Sequence, residues 1–410
     1  MLVGPETFTT LVASSMTTDV RPALLTTLCY AAMMCLAVGL NLLPVFLVNI
    51  GTSFGGDDPL SREALGRLGA VTFAGLVCGI LVTGPLADRY GAKPFALLAN
   101  LLTAIGLVGM ALSDSYQMLL IMVFVLGLGA GMLDMILSPV VAALNPDRRT
   151  AAMNWLHSYY CVGAVVTILI CTTALALGID WRAVCWLAIV LPFGLVMGFL
   201  PLRFPEMVTE GGRTPMAGLC RRPWFLAALV AIFLGGATEL GMAQWLPAYA
   251  ETSLGFSPVV AGGGLLFFSI AMALGRMVVG ALEHRANPYA VMAVGSAASV
   301  VLFLLGAFLD NPAWALLACI ASGFAGSSLW PTMLAVTADR YPDGGASMFA
   351  ALAALGNAGG ILMPWIVGVV GDLHDLRWGL ATSAIAPLLM LPLVGLLFIG
   401  AQRTRKLLSA

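Results

Sequence analysis

Gly84-Pro-Leu-Ala-Asp-Arg-Tyr-Gly-Ala-Lys93 closes an apolar run with a short charged turn. A partial copy, Gly280-Ala-Leu-Glu-His-Arg285, stands 196 residues further on. The same offset relates Gly79 to Gly275 and Leu86 to Leu282. A second echo pairs Asn41-Leu-Leu-Pro44 with Gln244-Trp-Leu-Pro247, at a slightly larger offset. The chain therefore reads as two related halves, each carrying an apolar run that ends in a basic turn.

Composition says what those runs face. Of 410 residues, 60 % are hydrophobic and only 10 % charged. A soluble domain carries roughly 25 % charged residues. So few polar side chains cannot cover a water-facing surface of this size, and lipid accounts for the excess. The net charge of −1 suggests no nucleic-acid partner. Of the eight cysteines, only Cys220 lies outside an apolar run, and no two form a CxxC pair. They read as small core residues, without disulfides or metal sites. The first twenty residues hold no basic segment followed by an apolar one, so no cleaved signal peptide is expected.

A bilayer core of ~30 Å needs ~20 helical residues. Twelve runs satisfy this: 23–49, 68–87, 95–112, 117–141, 151–177, 184–201, 223–249, 258–281, 289–309, 313–336, 346–370 and 379–400. The expected fold is an all-α membrane protein, twelve transmembrane helices in two pseudo-symmetric six-helix halves. Residues 1–201 form the first half, 202–222 a cytoplasmic linker and 223–410 the second half. With the N-terminus inside, fourteen Lys and Arg fall in cytoplasmic segments and four in outer loops. The positive-inside rule then places both termini in the cytoplasm, in a plasma (inner) membrane. Two joined six-helix repeats suit a carrier that rocks one half against the other, with its site at the repeat interface.

The loop from Gly84 to Lys93 resembles the signature loop of the major facilitator superfamily, and it lies between spans two and three as that family requires. The resemblance implies gating roles for Gly84, Asp88, Arg89 and Gly91, with Arg285 as the repeat-related basic residue. Narrower motifs resemble the fucose–galactose–glucose proton symporter family. They are Gly129-Ala-Gly-Met-Leu-Asp134, Asn154-Trp-Leu-His157, Gly236-Ala-Thr-Glu239 with Trp245-Leu-Pro247, Gly323 to Pro331, and Gly356-Asn357-Ala-Gly-Gly360. One departure stands out. Fucose-type members carry an aspartate in the first span, where this chain has Asn41. Drug-antiporter signatures are missing too: the fourth span has no arginine, and no Gly-Pro-rich motif follows Gly163.

Four ionisable residues lie inside spans: Asp134, His157, Glu239 and Arg276. Each costs ~2.5–3.5 kcal/mol at mid-helix on insertion scales, so they are the first functional candidates. A carboxyl that alternates between dry and wet surroundings takes up and releases a proton. Asp134 is the first candidate proton carrier and Glu239 the second. A structural ion pair or neutral acid is the alternative for each. Glycines 235, 236 and 241 suggest a locally loose helix around Glu239. A hydrogen bond between Asp134 and His157 fits their similar depth. Arg276 is close enough to the inner end to reach the surface or to anchor the inner gate through Asp339. Asn41, His157, Tyr160, Glu239, Gln244, Trp245, Trp330 and Asn357 are the candidate binding residues. Amides and carboxylates suit hydroxyl groups, and a Trp face suits a sugar ring.

Three transport readings follow. The first is a proton-coupled symporter of a small polar, sugar-like solute. The second is a proton-coupled exporter of drugs or metabolites. The third is an organic-anion carrier, which wants a cation in the cavity and has only Arg276 and His157 to offer. No nucleotide-binding loop, nucleophile elbow or metal cluster points to an enzyme. No cofactor is implied. The expected partners are a small-molecule substrate, protons and the lipid bilayer, and a monomer is expected.

Overall fold

The computed structural model describes residues 22–56, 58–145, 149–205, 216–281, 286–341 and 344–409. Among them, twelve helices are long and apolar enough to cross a membrane. The first six are Pro22–Val45, Arg62–Ala87, Ala92–Leu112, Tyr116–Leu144, Trp155–Ala176 and Trp181–Phe199. The second six are Pro223–Thr252, Pro258–Gly280, Pro288–Phe308, Pro312–Arg340, Met348–Leu373 and Leu376–Gln402. The fold is all-α, with twelve spans.

Polar residues and proline punctuate the apolar runs. Ser61 and Ser115 cap the second and fourth spans, accepting from the backbone N–H of Ala64 and Met118. Proline opens the seventh, ninth and tenth spans, where its missing N–H would have had no partner. Gly91, at φ 77°, separates the second span from the third. Few residues other than glycine accept that backbone, so the resemblance loop turns here for a conformational reason.

Four spans, expected as single runs, are broken. Helix stops and restarts at Phe46 after Pro44, at Ile189, at Ser327-Ser328 and at Ser383-Ala384. A count of apolar residues does not reveal these breaks, because each run is long enough to span the membrane when read straight through its break.

The two halves repeat in their packing. Span one packs on span five, two on four and three on six; seven packs on eleven, eight on ten and nine on twelve. The repeat extends to single contacts. A methyl on Gly79 would meet the Leu128 carbonyl oxygen at 2.4 Å, and one on Gly275 the Phe324 carbonyl oxygen at 2.6 Å. Both partners are offset by the same 196 residues. Small residues let these backbones touch. Gly127 and Gly131 of the fourth span likewise lie against the Thr72 and Leu76 carbonyls of the second, with 2.0 and 1.9 Å left for a methyl.

The halves meet through the second and eleventh spans, the fifth and eighth, and the first and seventh. Among the described residues, their polar contacts gather at the end opposite Pro22 and Gln402. There Asp372 of the eleventh span accepts from the backbone N–H of Arg62 and Glu63, at 2.8 and 2.7 Å. The Arg62 guanidinium donates to the Gly371 carbonyl. Trp365 Nε1 donates to Glu63 Oε1 at 2.6 Å. Thr172 of the fifth span lies against Gly262 of the eighth. This end is shut.

The surface bears out the lipid argument. Val190, Phe193, Leu177 and Val294 are each more than 60 % exposed, and all are apolar. Every cysteine is free; Cys78, expected in the core, is exposed with Cys220. Arg285 lies outside the described residues.

Candidate functional site

A cavity lies between the halves, below the shut end. Asn41 and Pro44 of the first span, Phe73 of the second and Tyr160 and Ala164 of the fifth line one side. Glu239, Ala243 and Gln244 of the seventh span and Phe268, Ser269 and Met272 of the eighth line the other. Asn41 and Gln244, matched by the internal repeat, thus face the same space.

The cavity opens toward the terminal end. His157 and Cys161 stand one turn apart, and Ala164 nearly another turn on, on one face of the fifth span. Ala164 lines the cavity, and His157 is exposed. An exposed side chain on that face, two turns nearer the terminal end, marks an open mouth.

Arg276 is one helical turn beyond Met272 on the eighth span, and it turns inward. Its Nη2 donates to Glu239 Oε2 at 2.8 Å, and the two side chains are 29 % and 11 % exposed. Its Nε donates to the Ser327 carbonyl at 3.1 Å. That carbonyl is free because the residue four places on is Pro331, which has no N–H to give it. A proline break in the tenth span therefore fixes the guanidinium that meets Glu239. The expected roles of Arg276, reaching the surface or pairing with Asp339, are replaced by this pairing. Pro331 was the available sequence signal.

The fifth span faces the pair. Tyr160 and Cys161 lie within range of both charges, and His157 within range of Arg276. Asn41 reaches the Tyr160 hydroxyl and donates Nδ2 to the Ala37 carbonyl at 2.9 Å. Of the two adjacent tyrosines, Tyr160 faces the cavity, while Tyr159 stacks on Tyr30 at 4.9 Å. Gln244 is 4 % exposed and its Nε2 has no hydrogen-bond partner among the described residues. It is a buried donor whose amide lies against Gly69 of the second span, at the edge of the cavity that Gln244 lines.

Other candidates lie elsewhere. Trp245 is 1 % exposed, and its Nε1 donates to the Pro364 carbonyl at 2.8 Å; it holds the seventh span to the eleventh and offers no face to a solute. Trp330 packs against Gly356. Asn357 is buried and bonds back to the Ala353 carbonyl at 3.0 Å. None of these three lines the cavity. Asp134 is half-buried, outside the lining, with no hydrogen bond or ion pair among the described residues. The expected bond from Asp134 to His157 is not formed, because the fourth span turns its glycines to the second and leaves the acid off the cavity face. The glycines beside Glu239 do not loosen its helix, which is continuous from Pro223 to Thr252. They are contact points: Gly236 meets the Gly356 carbonyl and Gly241 meets Met363. Of the gating candidates, Gly84 packs by Met135, Arg89 lies over the Tyr90 ring and Gly91 makes the turn. The Asp88 side chain is not described.

The family model for the Major Facilitator Superfamily matches residues 29–345 and 268–409. An uncharacterised MFS-type transporter of Yersinia pestis is 24 % identical over 81 % of this chain and 85 % of its own. The "Probable nitrate/nitrite transporter NarK2" of Mycobacterium tuberculosis is 25 % identical over 80 % of this chain and 84 % of its own. Among solved structures, the nucleoside transporter NupG superposes with a TM-score of 0.75 at 14 % identity, over 92 % of this chain and 99 % of its own. At that identity the likeness concerns the fold alone.

Proposed function

The chain belongs to the major facilitator superfamily, a family of transporters and not of enzymes, and we propose that it carries a small polar solute by proton-coupled alternating access. The observation that carries this reading is Glu239, on the wall of a cavity shut at one end and paired with Arg276. A membrane carrier needs a site between two halves that can part at either end. Coupling needs a group whose protonation changes that site. Glu239 meets this requirement: a proton on it takes away the partner of Arg276. Asp134, the first candidate from sequence, is the alternative carrier in this proposal: it lies off the cavity lining, and among the described residues nothing holds its carboxyl. The terminal end is cytoplasmic in this reading, on the count of basic residues, and the membrane is the plasma (inner) membrane of a cell.

A sugar-like solute and symport are one form of the proposal. The unpaired amide of Gln244, with Asn41 and Tyr160, favours it, since these groups give and accept hydrogen bonds with hydroxyls. The buried position of Trp245 removes the aromatic platform that its place beside Gln244 in the sequence suggested. The chain is read as a monomer.

The test is uptake of radiolabelled hexoses and small organic acids into proteoliposomes, with and without a proton gradient. Gradient-driven accumulation by wild type, lost in Glu239→Gln with exchange retained, supports the reading. Accumulation unaffected by a proton gradient sinks the coupling.

A further inference from the structure

Resting on that reading, we infer that the solute is a small monocarboxylate with an apolar body, its carboxylate on Arg276, carried with a proton on Glu239. The reasoning starts from what the guanidinium has left to give. Arg276 has five N–H groups, of which the structure engages Nε with the Ser327 carbonyl and one Nη2 hydrogen with Glu239. Among the described residues nothing else takes its remaining N–H groups, and it adjoins the cavity through Glu239, which lines it; a guanidinium fork takes a carboxylate with two parallel bonds.

Charge decides between an anion and a cation. In the empty site Glu239 and Arg276 cancel. A proton on Glu239 leaves the guanidinium uncompensated, and an incoming anion restores neutrality. An amine would have to displace Arg276 from Glu239, and arginine has no neutral form to retreat to. A cationic solute would therefore always face a fixed positive charge. The titratable groups facing the pair are Tyr160, Cys161 and His157, all from the fifth span.

The same bookkeeping sets the coupling. Empty with Glu239 ionised, and loaded with both proton and anion, the pair is neutral. Loaded with only one of the two, it carries an unpaired charge, which its partly buried setting penalises. The halves rock in the two neutral states. No bond is made or broken; one proton moves onto and off the Glu239 carboxylate per anion carried.

The remaining lining decides the body of the solute. Phe73, Leu265, Phe268 and Met272 offer apolar surface beside the pair. Bare oxyanions such as nitrate would leave that surface unused.

The experiment measures binding to the full chain in detergent, by thermal stabilisation and calorimetry, between pH 5.5 and 8. Probes are acetate, lactate and benzoate, each beside its own amide, with nitrate and a hexose. The expected result is that at least one carboxylate binds and its amide does not. Its affinity should weaken by up to about tenfold per pH unit, as one linked proton requires. Glu239→Gln should keep the binding and lose the pH dependence. The paired change Glu239→Gln with Arg276→Gln, which leaves no lone charge, should fold and lose carboxylate binding. Carboxylate binding that survives the paired change overturns the inference. So does preference for nitrate, for the amides, or for the hexose. If the hexose binds and is accumulated on a proton gradient, only this inference falls. If no probe binds and reconstituted protein moves none of them, the transport reading falls with it.

Discussion

Arg276 on the eighth span and Glu239 on the seventh meet at 2.8 Å, with Glu239 on the cavity wall. Helix packing and the free carbonyl of Ser327 bring them together across 37 residues of sequence. Removing one partner leaves the other charged and poorly solvated. Arg276→Met should therefore destabilise the chain more than the combined Arg276→Met and Glu239→Gln. The loss should fall below the about 3–5 kcal/mol of a fully buried pair, because the guanidinium side is 29 % exposed. Thermal denaturation in one detergent checks it; equal losses in both variants would mean that the pair is not a unit.

The two acids should separate in transport. Asp134 stands outside the cavity lining, whereas Glu239 lies on it and pairs with Arg276. Asp134→Asn is expected to retain gradient-driven accumulation, and Glu239→Gln to lose it while still exchanging solute. The reverse pattern would make Asp134 the proton carrier.

The shut end depends on a cap borrowed across the halves. Asp372 accepts from two first-turn N–H groups of the second span, where the helix dipole favours a carboxylate. Losing such a cap costs about 0.5–2 kcal/mol. Asp372→Ala should thus raise the population open at this end severalfold. In a background without other cysteines, Thr172→Cys should be labelled faster by a membrane-impermeant thiol reagent when Asp372 is replaced. An unchanged labelling rate would assign the seal to packing alone.

Thr172 and Gly262 offer a direct lock. Their approach puts a β-carbon at position 262 within 3.2 Å of the Thr172 β-carbon, close to the spacing that a disulfide bridges. Thr172→Cys with Gly262→Cys should cross-link under mild oxidant and stop transport, and reductant should restore it. Transport that continues in the fully cross-linked protein would contradict the rocking of halves about this contact.

Gly131→Ala tests the packing of the fourth span. Its methyl would stand 1.9 Å from the Leu76 carbonyl oxygen, so backbone must move. A loss of about 1–3 kcal/mol is expected, as for other overpacked sites. Gly280→Ala, with nothing within 4 Å, should be neutral.

Much of the architecture was legible before any coordinates. The apolar runs, the 196-residue offset and the basic turns give twelve spans in two halves. Asn41, Tyr160, Glu239 and Gln244 were also legible, being polar groups on repeat-related or adjacent positions. Trp245 was misread because a tryptophan beside a polar cluster looks like a binding platform until its rotation about the helix is known. Asp134 and Arg276 show the same limit: depth along a helix can be counted, but not the face that puts Asp134 off the cavity lining and turns Arg276 to Glu239.

The sequence by itself determined which segments cross the membrane and that they repeat. The cost of moving each side chain between water and lipid is local and adds up along the chain. Only the tertiary structure decided which charge meets which. That depends on how each helix is rotated and how closely it approaches its neighbour, set here by glycines at carbonyls and by the proline that frees Ser327. Such contacts are long-range and geometric, so no window of sequence contains them.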